Sequence, residues 1–203
     1  MAKLYFRYSA MNAGKSTVLL QVAHNYEEQQ QQVVVYTAAV DDRYGVGQVT
    51  SRLGVSRSAS VFTQTTDFEQ LAHEGAFGGI ACLLVDEAQF LAPAQVRQLH
   101  RLAHGRNLPV LCFGLRSDFR GEGFPGAMTL LTLADDLEEL KTICKCKRKA
   151  SMNMRLDEHG NKVVDGLQVE IGGNNRYRSA CPRCFYELFP VAETEAEAEP
   201  LAA

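Results

Sequence analysis

The segment from Tyr8 to Thr17 reads YSAMNAGKST and follows a short β-rich run, Lys3 to Tyr8. It matches the phosphate-binding pattern G-x-x-x-x-G-K-[ST] at every fixed position except the first, where Ser9 replaces glycine. Glycine tolerates a positive φ and serine does not, so Ser9 weakens the match. The residues from Thr17 to about Gln31 carry apolar side chains at helical spacing. The sequence therefore predicts the order of strand, loop and helix that this motif requires.

The chemistry of such a loop assigns a role to each part of the segment. Backbone N–H groups of the loop and of the helix N-terminus bind phosphates, the lysine reaches the outer phosphates, and the serine hydroxyl holds Mg²⁺. We therefore predict a nucleotide-binding loop made of Ser9, Ala10, Met11, Asn12, Ala13, Gly14, Lys15 and Ser16.

A phosphate-binding loop also needs an acidic residue at the end of another buried strand, and Asp86 follows the apolar run Ile80 to Val85. Asp86 can then order Mg²⁺ through its water shell. Glu87 comes next, and successive side chains at a strand end point different ways, so Glu87 can face a second substrate. The alternative interpretation of the Asp-Glu pair is an ordinary acidic cluster at a helix N-terminus.

Strands and helices alternate over the first 140 residues or so, which favours an α/β fold with a parallel sheet of the P-loop NTPase type. The segment from Ala38 to Ser60 is rich in Gly, Ser, Asp and Arg and is interpreted as a loop. Further predicted strands are Val33–Tyr36, Val61–Gln64 and Pro109–Phe113, and further predicted helices are Phe68–Glu74 and Pro93–His104.

The six cysteines fall into two groups. Cys82 and Cys112 lie in apolar runs and are expected to pack in the core. The other four form the pairs Cys144-x-Cys146 and Cys181-x-x-Cys184, which 34 residues, Lys147 to Ala180, separate. In a reducing compartment such pairs are typical zinc ligands. Four thiolates leave no open position, so we predict a structural Zn²⁺ that staples a small C-terminal lobe.

Composition excludes several classes of protein. With 46% hydrophobic residues the chain can bury a core, and its net charge of −3 argues against binding to nucleic acid through phosphate neutralisation. We find no apolar run of about 18 residues and no signal peptide, so we expect a cytoplasmic protein without membrane contact. The segment Val191–Ala203 (VAETEAEAEPLAA) is predicted to be a disordered acidic tail, and without its four glutamates the net charge becomes +1.

Further motifs occur in a characteristic order along the chain. They are DDRYG at Asp41–Gly45, VDEAQF at Val85–Phe90, FGLRSDFRGEGF at Phe113–Phe124 and VEIGGNNRY at Val169–Tyr177. Together with the phosphate loop and the cysteine pairs, they resemble the type II, zinc-containing thymidine kinases over about Lys3 to Phe189. The resemblance implies transfer of the γ-phosphoryl group of ATP to the 5′-hydroxyl of thymidine, which gives dTMP and ADP.

The resemblance also implies roles for individual residues around the phosphates. The glutamate matching Glu87 is the general base of the family. Arg43 is the best candidate for a residue that neutralises charge on the phosphates, and Asp41 for one that holds the metal indirectly. Without the resemblance, this Asp/Arg cluster would be interpreted as a polar turn. The residues expected to complete the contacts with ATP and Mg²⁺ are Asp86, Glu87, Ala88 and Gln89.

The nucleoside pocket implied by the resemblance combines apolar side chains with backbone contacts. Its side chains match Met11, Phe90, Leu115, Phe119, Phe124 and Tyr177. A loop called the lasso binds the base edge through backbone atoms of Gln168, Val169, Glu170, Ile171 and Gly172, and zinc anchors both ends of this loop. Family members are commonly homotetramers that dTTP inhibits.

From these motifs and the composition we divide the chain into a P-loop domain (1–140), a zinc-stapled lasso domain (141–190) and a tail (191–203).

Two other functions fit part of the sequence. DEAQ at Asp86–Gln89 resembles a motif of P-loop motors and helicase-like ATPases, but the chain has room for about one domain and such motors need about two. The basic run KCKRKA at Lys145–Ala150 would suit a zinc ribbon that binds nucleic acid, but the net charge and the missing series of stacking aromatics count against it.

Overall fold

A computed structural model of the chain describes residues 1–168 and 176–187. The larger part of this structure is built from strands and helices that mostly alternate along the chain. In chain order these are β1 (Leu4–Ser9), α1 (Lys15–Glu28), β2 (Val33–Ala38), β3 (Gln48–Thr50), β4 (Ser56–Ser58), β5 (Ser60–Phe62), α2 (Phe68–His73), β6 (Cys82–Val85), α3 (Pro93–Gly105), β7 (Val110–Leu115), α4 (Pro125–Leu133) and β8 (Asp136–Glu139).

Within the described residues, six of these strands form one sheet in the order β5-β2-β6-β7-β1-β8. All neighbouring pairs are parallel, with Leu4 opposite Val110 and Val33 opposite Cys82. Parallel neighbours require crossover connections, which the helices provide. The α/β fold class predicted from the sequence is therefore confirmed.

Helices cover both faces of the sheet. The central strand β6 reads CLLV and is buried along its whole length. Successive side chains point to opposite faces: Leu83 and Val85 pack with α2, α3 and α4, while Cys82 and Leu84 pack with α1. Cys112 is also fully buried, so both cysteines predicted for the core lie there.

The segment Ala38–Ser60 is not the simple loop that composition predicted. It contains an antiparallel hairpin in which β3 pairs with β4, so that Gln48 lies opposite Ser58 and Thr50 opposite Ser56. Both strands are three residues long and mostly polar, which is too short for an alternating pattern to be visible. The other predicted strands and helices are confirmed within a few residues, and α4 and β8 are additional elements.

The smaller part of the structure is an antiparallel lobe that follows β8. Its elements are β9 (Thr142–Ile143), β10 (Lys149–Ala150), β11 (Met152–Leu156), β12 (Lys162–Val163), β13 (Tyr177–Ala180) and α5 (Pro182–Phe185). β9 pairs with β10, and β11 lies between β12 and β13. The predicted tail and most of the predicted lasso, residues 169–175, lie outside the described residues.

The parallel sheet positions the functional residues at one edge. The carboxyl ends of parallel strands meet at the same edge, where ligands bind in open α/β sheets. The phosphate loop follows β1, Asp86 and Glu87 follow β6, and the segment after Leu115 follows β7. None of the helices in the described part of the chain has the length and apolar character needed to cross a membrane.

Candidate active site

The phosphate loop connects β1 to α1, and its left-handed backbone conformations fall on residues that adopt them at low cost. The left-handed backbone falls on Asn12 (φ 63°) and Gly14 (φ 83°), two residue types that adopt it readily. Ser9 is the last residue of β1 and keeps a strand conformation. The replacement of glycine by Ser9 therefore imposes no left-handed strain on this loop.

Lys15 points into the curve of the loop that precedes it. Its Nζ donates to Ser9 Oγ at 3.3 Å and to the carbonyl of Ala10 at 3.4 Å. Burial lowers the pKa of Lys15, while the nearby carboxylates of Glu87 and Asp86 act in the opposite direction. The ammonium group thus lies in a largely water-free position where it interacts strongly with negative charge.

Ser16, at the start of α1, contacts Asp86, which follows β6. Ser16 Oγ donates to Asp86 Oδ2 at 3.1 Å. Burial raises the pKa of Asp86 to about 7, and the neighbouring Glu87 adds to this rise. A hydroxyl and a carboxylate at this distance are oxygen donors of the kind that Mg²⁺ prefers. The residues present therefore fit an Mg²⁺ ion beside the phosphate loop.

Glu87 has an unusual backbone and a carboxylate that accepts a hydrogen bond on each oxygen. It follows β6 with a left-handed φ of 51°. Its Oε1 accepts a bond from the guanidinium of Arg43 at 2.6 Å, and its Oε2 accepts one from Gln89 Nε2 at 2.5 Å. A left-handed backbone at a residue such as glutamate is found where surrounding contacts hold it, often at functional sites.

Gln89 links Glu87 to strand β7. Its side chain is 2% exposed, and its Oε1 accepts a bond from the backbone N–H of Leu115 at 3.0 Å. The space for this amide exists because residue 114 is glycine. A Cβ at Gly114 would lie 2.8 Å from Gln89 Oε1 and 3.0 Å from the Gln89 backbone nitrogen.

Arg43 joins the segment after β2 to the segment after β6. Its Nε and Nη2 donate to the two carboxylate oxygens of Asp41 at 2.5 and 2.8 Å, in the bidentate arrangement that guanidinium groups favour. The bond to Asp41 is the main cause that raises the pKa of Arg43, and the charge of Glu87 adds to it. The residues Asp41, Arg43 and Glu87 therefore form one charged network.

One cavity of about 640 Å³ joins the phosphate loop to an aromatic slot. The rings of Phe90 and Phe124 meet edge to face with centroids 5.8 Å apart on one side of the slot. The predicted site residues that line this cavity are Met11, Asn12, Ala13, Gly14, Lys15, Ser16, Asp41, Arg43, Glu87, Gln89, Phe90, Leu115, Phe119, Phe124, Gln168 and Tyr177.

Other predicted residues do not line the cavity. Ser9, Ala10, Asp86 and Ala88 are buried and lie outside its lining. The predicted lasso positions Val169, Glu170, Ile171 and Gly172 lie outside the described residues.

Sequence reasoning missed several residues of the cavity wall. The β3–β4 hairpin and its turn contribute Thr50, Ser51, Arg52 and Leu53, and the chain contributes Asp118 and Asn153 from more distant segments. Asp118 lies within the FGLRSDFRGEGF motif, but the motif alone does not indicate a role for this residue. Asn153 accepts a hydrogen bond from the backbone N–H of Met11, a residue 142 positions away, and no local sequence pattern indicates such a contact.

The four paired cysteines meet in the C-terminal lobe. Their Sγ atoms all lie within 4.8 Å of one another, and Cys146 and Cys181 are 3.4 Å apart. Burial tends to raise the pKa of Cys181, but the N–H of Cys184 and the neighbouring thiols lower it to about 7. Four clustered sulfur donors of this kind are consistent with tetrahedral zinc.

This combination defines the class of protein. The chain combines a parallel α/β sheet, a phosphate loop with a buried lysine, a serine-carboxylate pair that fits Mg²⁺, and an aromatic slot in the same cavity. These are the parts that a P-loop phosphotransferase needs. The family model described as thymidine kinase matches residues 2–185. The chain therefore belongs to the thymidine kinase family and is an ATP-dependent thymidine kinase.

Individual relatives agree with this assignment. The thymidine kinase of Chromobacterium violaceum is 60% identical over 186 residues, which cover 92% of this chain and 99% of that protein. The thymidine kinase of Albidiferax ferrireducens is 55% identical over 186 residues, which cover 92% and 93%. That of Idiomarina loihiensis is 54% identical over 188 residues, which cover 92% and 97%.

The contact between Gly114 and Gln89 generates a prediction. Gly114→Ala places a methyl group against Gln89 and should displace the amide that holds Glu87, which lowers kcat by about 10-fold or more because misplaced catalytic groups are costly. Steady-state kinetics of the purified variant measure this effect. Gly105→Ala is the matched control, since a Cβ there meets no atom within 4 Å. A Gly114→Ala enzyme with normal kcat would show that Gln89 does not need its present position.

Proposed function

We propose that the chain transfers the γ-phosphoryl group of ATP to the 5′-hydroxyl of thymidine with Glu87 as the general base. The observation that carries this proposal is the position of Glu87. Its carboxylate is part of the wall of a single cavity that contains the phosphate loop and the aromatic slot. A base that lies between donor and acceptor can take the proton of the attacking hydroxyl as the new bond to phosphorus forms.

The phosphate side of the site provides positioning and positive charge. The backbone of residues 12–16 would bind the phosphates of ATP, with Lys15 at the outer ones. Ser16 and Asp86 would hold Mg²⁺, which neutralises charge that develops on the transferring group when it is bound. Arg43 already contacts Glu87, so its guanidinium lies within reach of the site where the phosphoryl group moves. Phosphoryl transfer depends mainly on such placement and charge compensation.

The nucleoside side of the site is apolar with polar edges. We propose that thymine lies among Met11, Phe90, Leu115, Phe119, Phe124 and Tyr177, because aromatic faces and apolar side chains suit a neutral base with a methyl group. Gln168 is the described residue of the proposed lasso, and its Nε2 donates to Asp118 Oδ2 at 3.1 Å. The proposed backbone contacts from Val169, Glu170, Ile171 and Gly172 would then fix the edge of the base.

Glu87 remains able to accept a proton while Arg43 and Gln89 hold it. An ionised carboxylate has about four acceptor positions, and these two bonds use one on each oxygen. Among the described residues no other hydrogen bond to this carboxylate occurs, which leaves acceptor positions for the 5′-hydroxyl. The two bonds therefore orient the carboxylate without blocking the reaction that we assign to it.

We propose that the four cysteines hold a structural Zn²⁺. The C-x-C pair lies in the β9–β10 hairpin, and the C-x-x-C pair spans the start of α5. Zinc bound by all four sulfurs would tie these elements together and so anchor both ends of the segment that includes the lasso. With no open coordination position it would take no part in the reaction.

The family resemblance supports further proposals about regulation and assembly. dTTP would inhibit by placing its base in the slot and its phosphates in the loop, since one cavity joins the two sites. Assembly as a homotetramer is in accord with two exposed apolar side chains, Leu137 on the edge strand β8 and Met128 on helix α4. Light scattering would show a mass of one chain instead if the assembly proposal is wrong.

We also propose the division and location of the chain. The P-loop domain would comprise residues 1–140, the lasso domain 141–190 and the acidic tail 191–203; the end of β8 at Glu139 and the start of β9 at Thr142 support the first boundary. We propose that the protein is cytoplasmic, because ATP and reduced thiol ligands are both typical of that compartment. Limited proteolysis that cleaves inside β1–β8 before residue 140 would contradict the division.

Release of ADP tests the proposed reaction against the two nucleic-acid alternatives. Purified protein with MgATP should release ADP when thymidine or deoxyuridine is present. Purine nucleosides should be poor substrates, because we propose that the aromatic slot and the lasso backbone fit a single-ring base. A coupled assay measures ADP release over a panel of nucleosides, with single- and double-stranded DNA as controls. ATP turnover that DNA stimulates and nucleosides do not affect would refute the proposal.

The role of Glu87 predicts a separation between binding and chemistry. Glu87→Gln keeps the size of the side chain and removes the base, so kcat should fall by about 100-fold or more while ATP affinity stays near normal. Calorimetry and steady-state kinetics measure the two quantities. Glu28→Gln, an exposed change on α1, serves as control. A kcat close to that of the unaltered enzyme would remove Glu87 from the role of base.

The zinc proposal predicts a stoichiometry. Protein purified without chelator should contain about one Zn²⁺ per chain by elemental analysis. Cys184→Ser should lose most of this zinc and unfold its lobe at lower temperature, because three sulfurs and a hydroxyl bind zinc less tightly. Cys82→Ala removes a thiol from the core and should retain the metal. Equal zinc content in both variants would contradict the assignment.

A further inference from the structure

The structure contains a contact between the C-terminal lobe and the phosphate loop that no motif indicates. The backbone N–H of Met11 donates to Asn153 Oδ1 at 2.7 Å, and the carbonyl of Met11 accepts a bond from Ser179 Oγ. Both polar groups of one loop residue are therefore bound by side chains of the lobe. Asn153 lies on β11 and Ser179 on β13.

The two lobe residues act as a unit because of the register of their strands. Asn153 and Ser179 are directly opposite each other in the antiparallel pair β11–β13. Their exposed fractions are 3% and 8%. Side chains opposite each other on one face have Cβ atoms about 5 Å apart, which is close enough for both to reach the same backbone residue.

Asn153 also contacts the segment that follows β7. Its Nδ2 donates to the carbonyl of Ser117 at 2.8 Å, so the amide bridges the phosphate loop and the segment that carries Asp118 and Phe119. Its two hydrogen bonds fix the orientation of this amide. Met11 is thereby held at a set position relative to the slot as well as to the loop.

From this geometry we infer that Asn153 and Ser179 are positioning residues for ATP, which hold the phosphate loop in its binding shape through Met11. The N–H of Met11 is used by Asn153 and so cannot bind a phosphate. Its neighbour Asn12 has a left-handed backbone, which asparagine adopts more readily than most residues but which surrounding contacts still have to hold. The lobe supplies such contacts on the residue immediately before.

This inference deepens the proposed function and rests on the proposal that the loop binds ATP. It gives the C-terminal lobe a role at the phosphate end of the site as well as at the nucleoside end. Ser179 is two residues from Cys181, and β13 continues directly into the cysteine cluster. The strand that carries the proposed metal ligand thus also carries a support of the phosphate loop.

Nucleotide binding without thymidine tests the inference. Ser179→Ala and Asn153→Ala should each raise the Kd for MgADP by about 10-fold, since each removes a buried hydrogen bond to the loop. The KM for thymidine should change much less. In the double variant the Kd for MgADP should rise by less than the product of the two single fold-changes, because both side chains hold the same residue. Isothermal titration calorimetry measures the affinities.

Controls separate positioning from a general defect. Arg178→Ala alters an exposed neighbour on β13 and should leave the Kd for MgADP unchanged. Zinc content and the thermal unfolding midpoint should stay near normal in the single variants. An unchanged Kd for MgADP in both variants would overturn the inference, and so would a change confined to the KM for thymidine, which would make Asn153 a nucleoside contact. If the unaltered protein failed to bind MgADP, the proposed function itself would fall.

Hydrogen exchange of the unaltered protein provides a test that needs no variant. The amide of Met11 should be protected in the ligand-free protein and should exchange at a rate similar to the amides of β11 and β13, since opening of the lobe would release it. Nuclear magnetic resonance measures single-residue rates. Exchange of Met11 as fast as that of an exposed loop would overturn the inference independently of the binding data.

Discussion

The site depends on how the fold tolerates charged side chains that are almost completely buried at one edge of the sheet. Lys15, Asp86 and Glu87 are exposed by 9%, 4% and 8%. The free energy of burying an isolated charge at such depth would be prohibitive. Buried charges become tolerable only when opposite charges and hydrogen bonds surround them. Lys15 lies near both carboxylates, Arg43 binds Glu87, and Ser16 binds Asp86. All of these contacts are made within the chain itself, and such a preorganised network would need little reorganisation to bind charged phosphates.

Backbone geometry converts this network into a connection between the two halves of the cavity. Glu87 has a left-handed backbone, and the two adjacent acids have different partners. Asp86 accepts a bond from Ser16, whereas Glu87 accepts bonds from Arg43 and Gln89. Gln89 then joins Glu87 to the backbone of Leu115, which lines the proposed nucleoside slot. Because Gly114 leaves room for the amide, a residue with no side chain determines where a charged one lies.

Most of the core and the phosphate side were predictable from sequence because their determinants are local. An apolar strand followed by small residues and Gly14-Lys15-Ser16 specifies a loop by its own backbone requirements, and the buried strand before Asp86 specifies its partner. The β3–β4 hairpin was not predictable because its strands are short and polar. The roles of Gln89 and Asn153 depend on partners 26 and 142 residues away, and such distances leave no periodic pattern. The resemblance to a family predicts which residues form the proposed site, but it does not indicate which of them hold the others.

The C-terminal lobe has a small buried core, which is the situation in which the proposed metal would contribute to stability. Within the described residues its buried cluster contains Cys144, Ala150, Ala180, Cys181 and Phe185, and two of these five are cysteines. So small a core contributes little stability by itself, and small lobes commonly need a metal or disulfides. Yet the lobe must be rigid, because Arg155 stacks 3.9 Å above the Phe119 ring and binds the carbonyls of Asp165 and Leu167 where the proposed lasso begins. Four sulfur ligands on one ion would supply that rigidity without occupying the surface that Asn153, Arg155 and Ser179 use to contact the rest of the site.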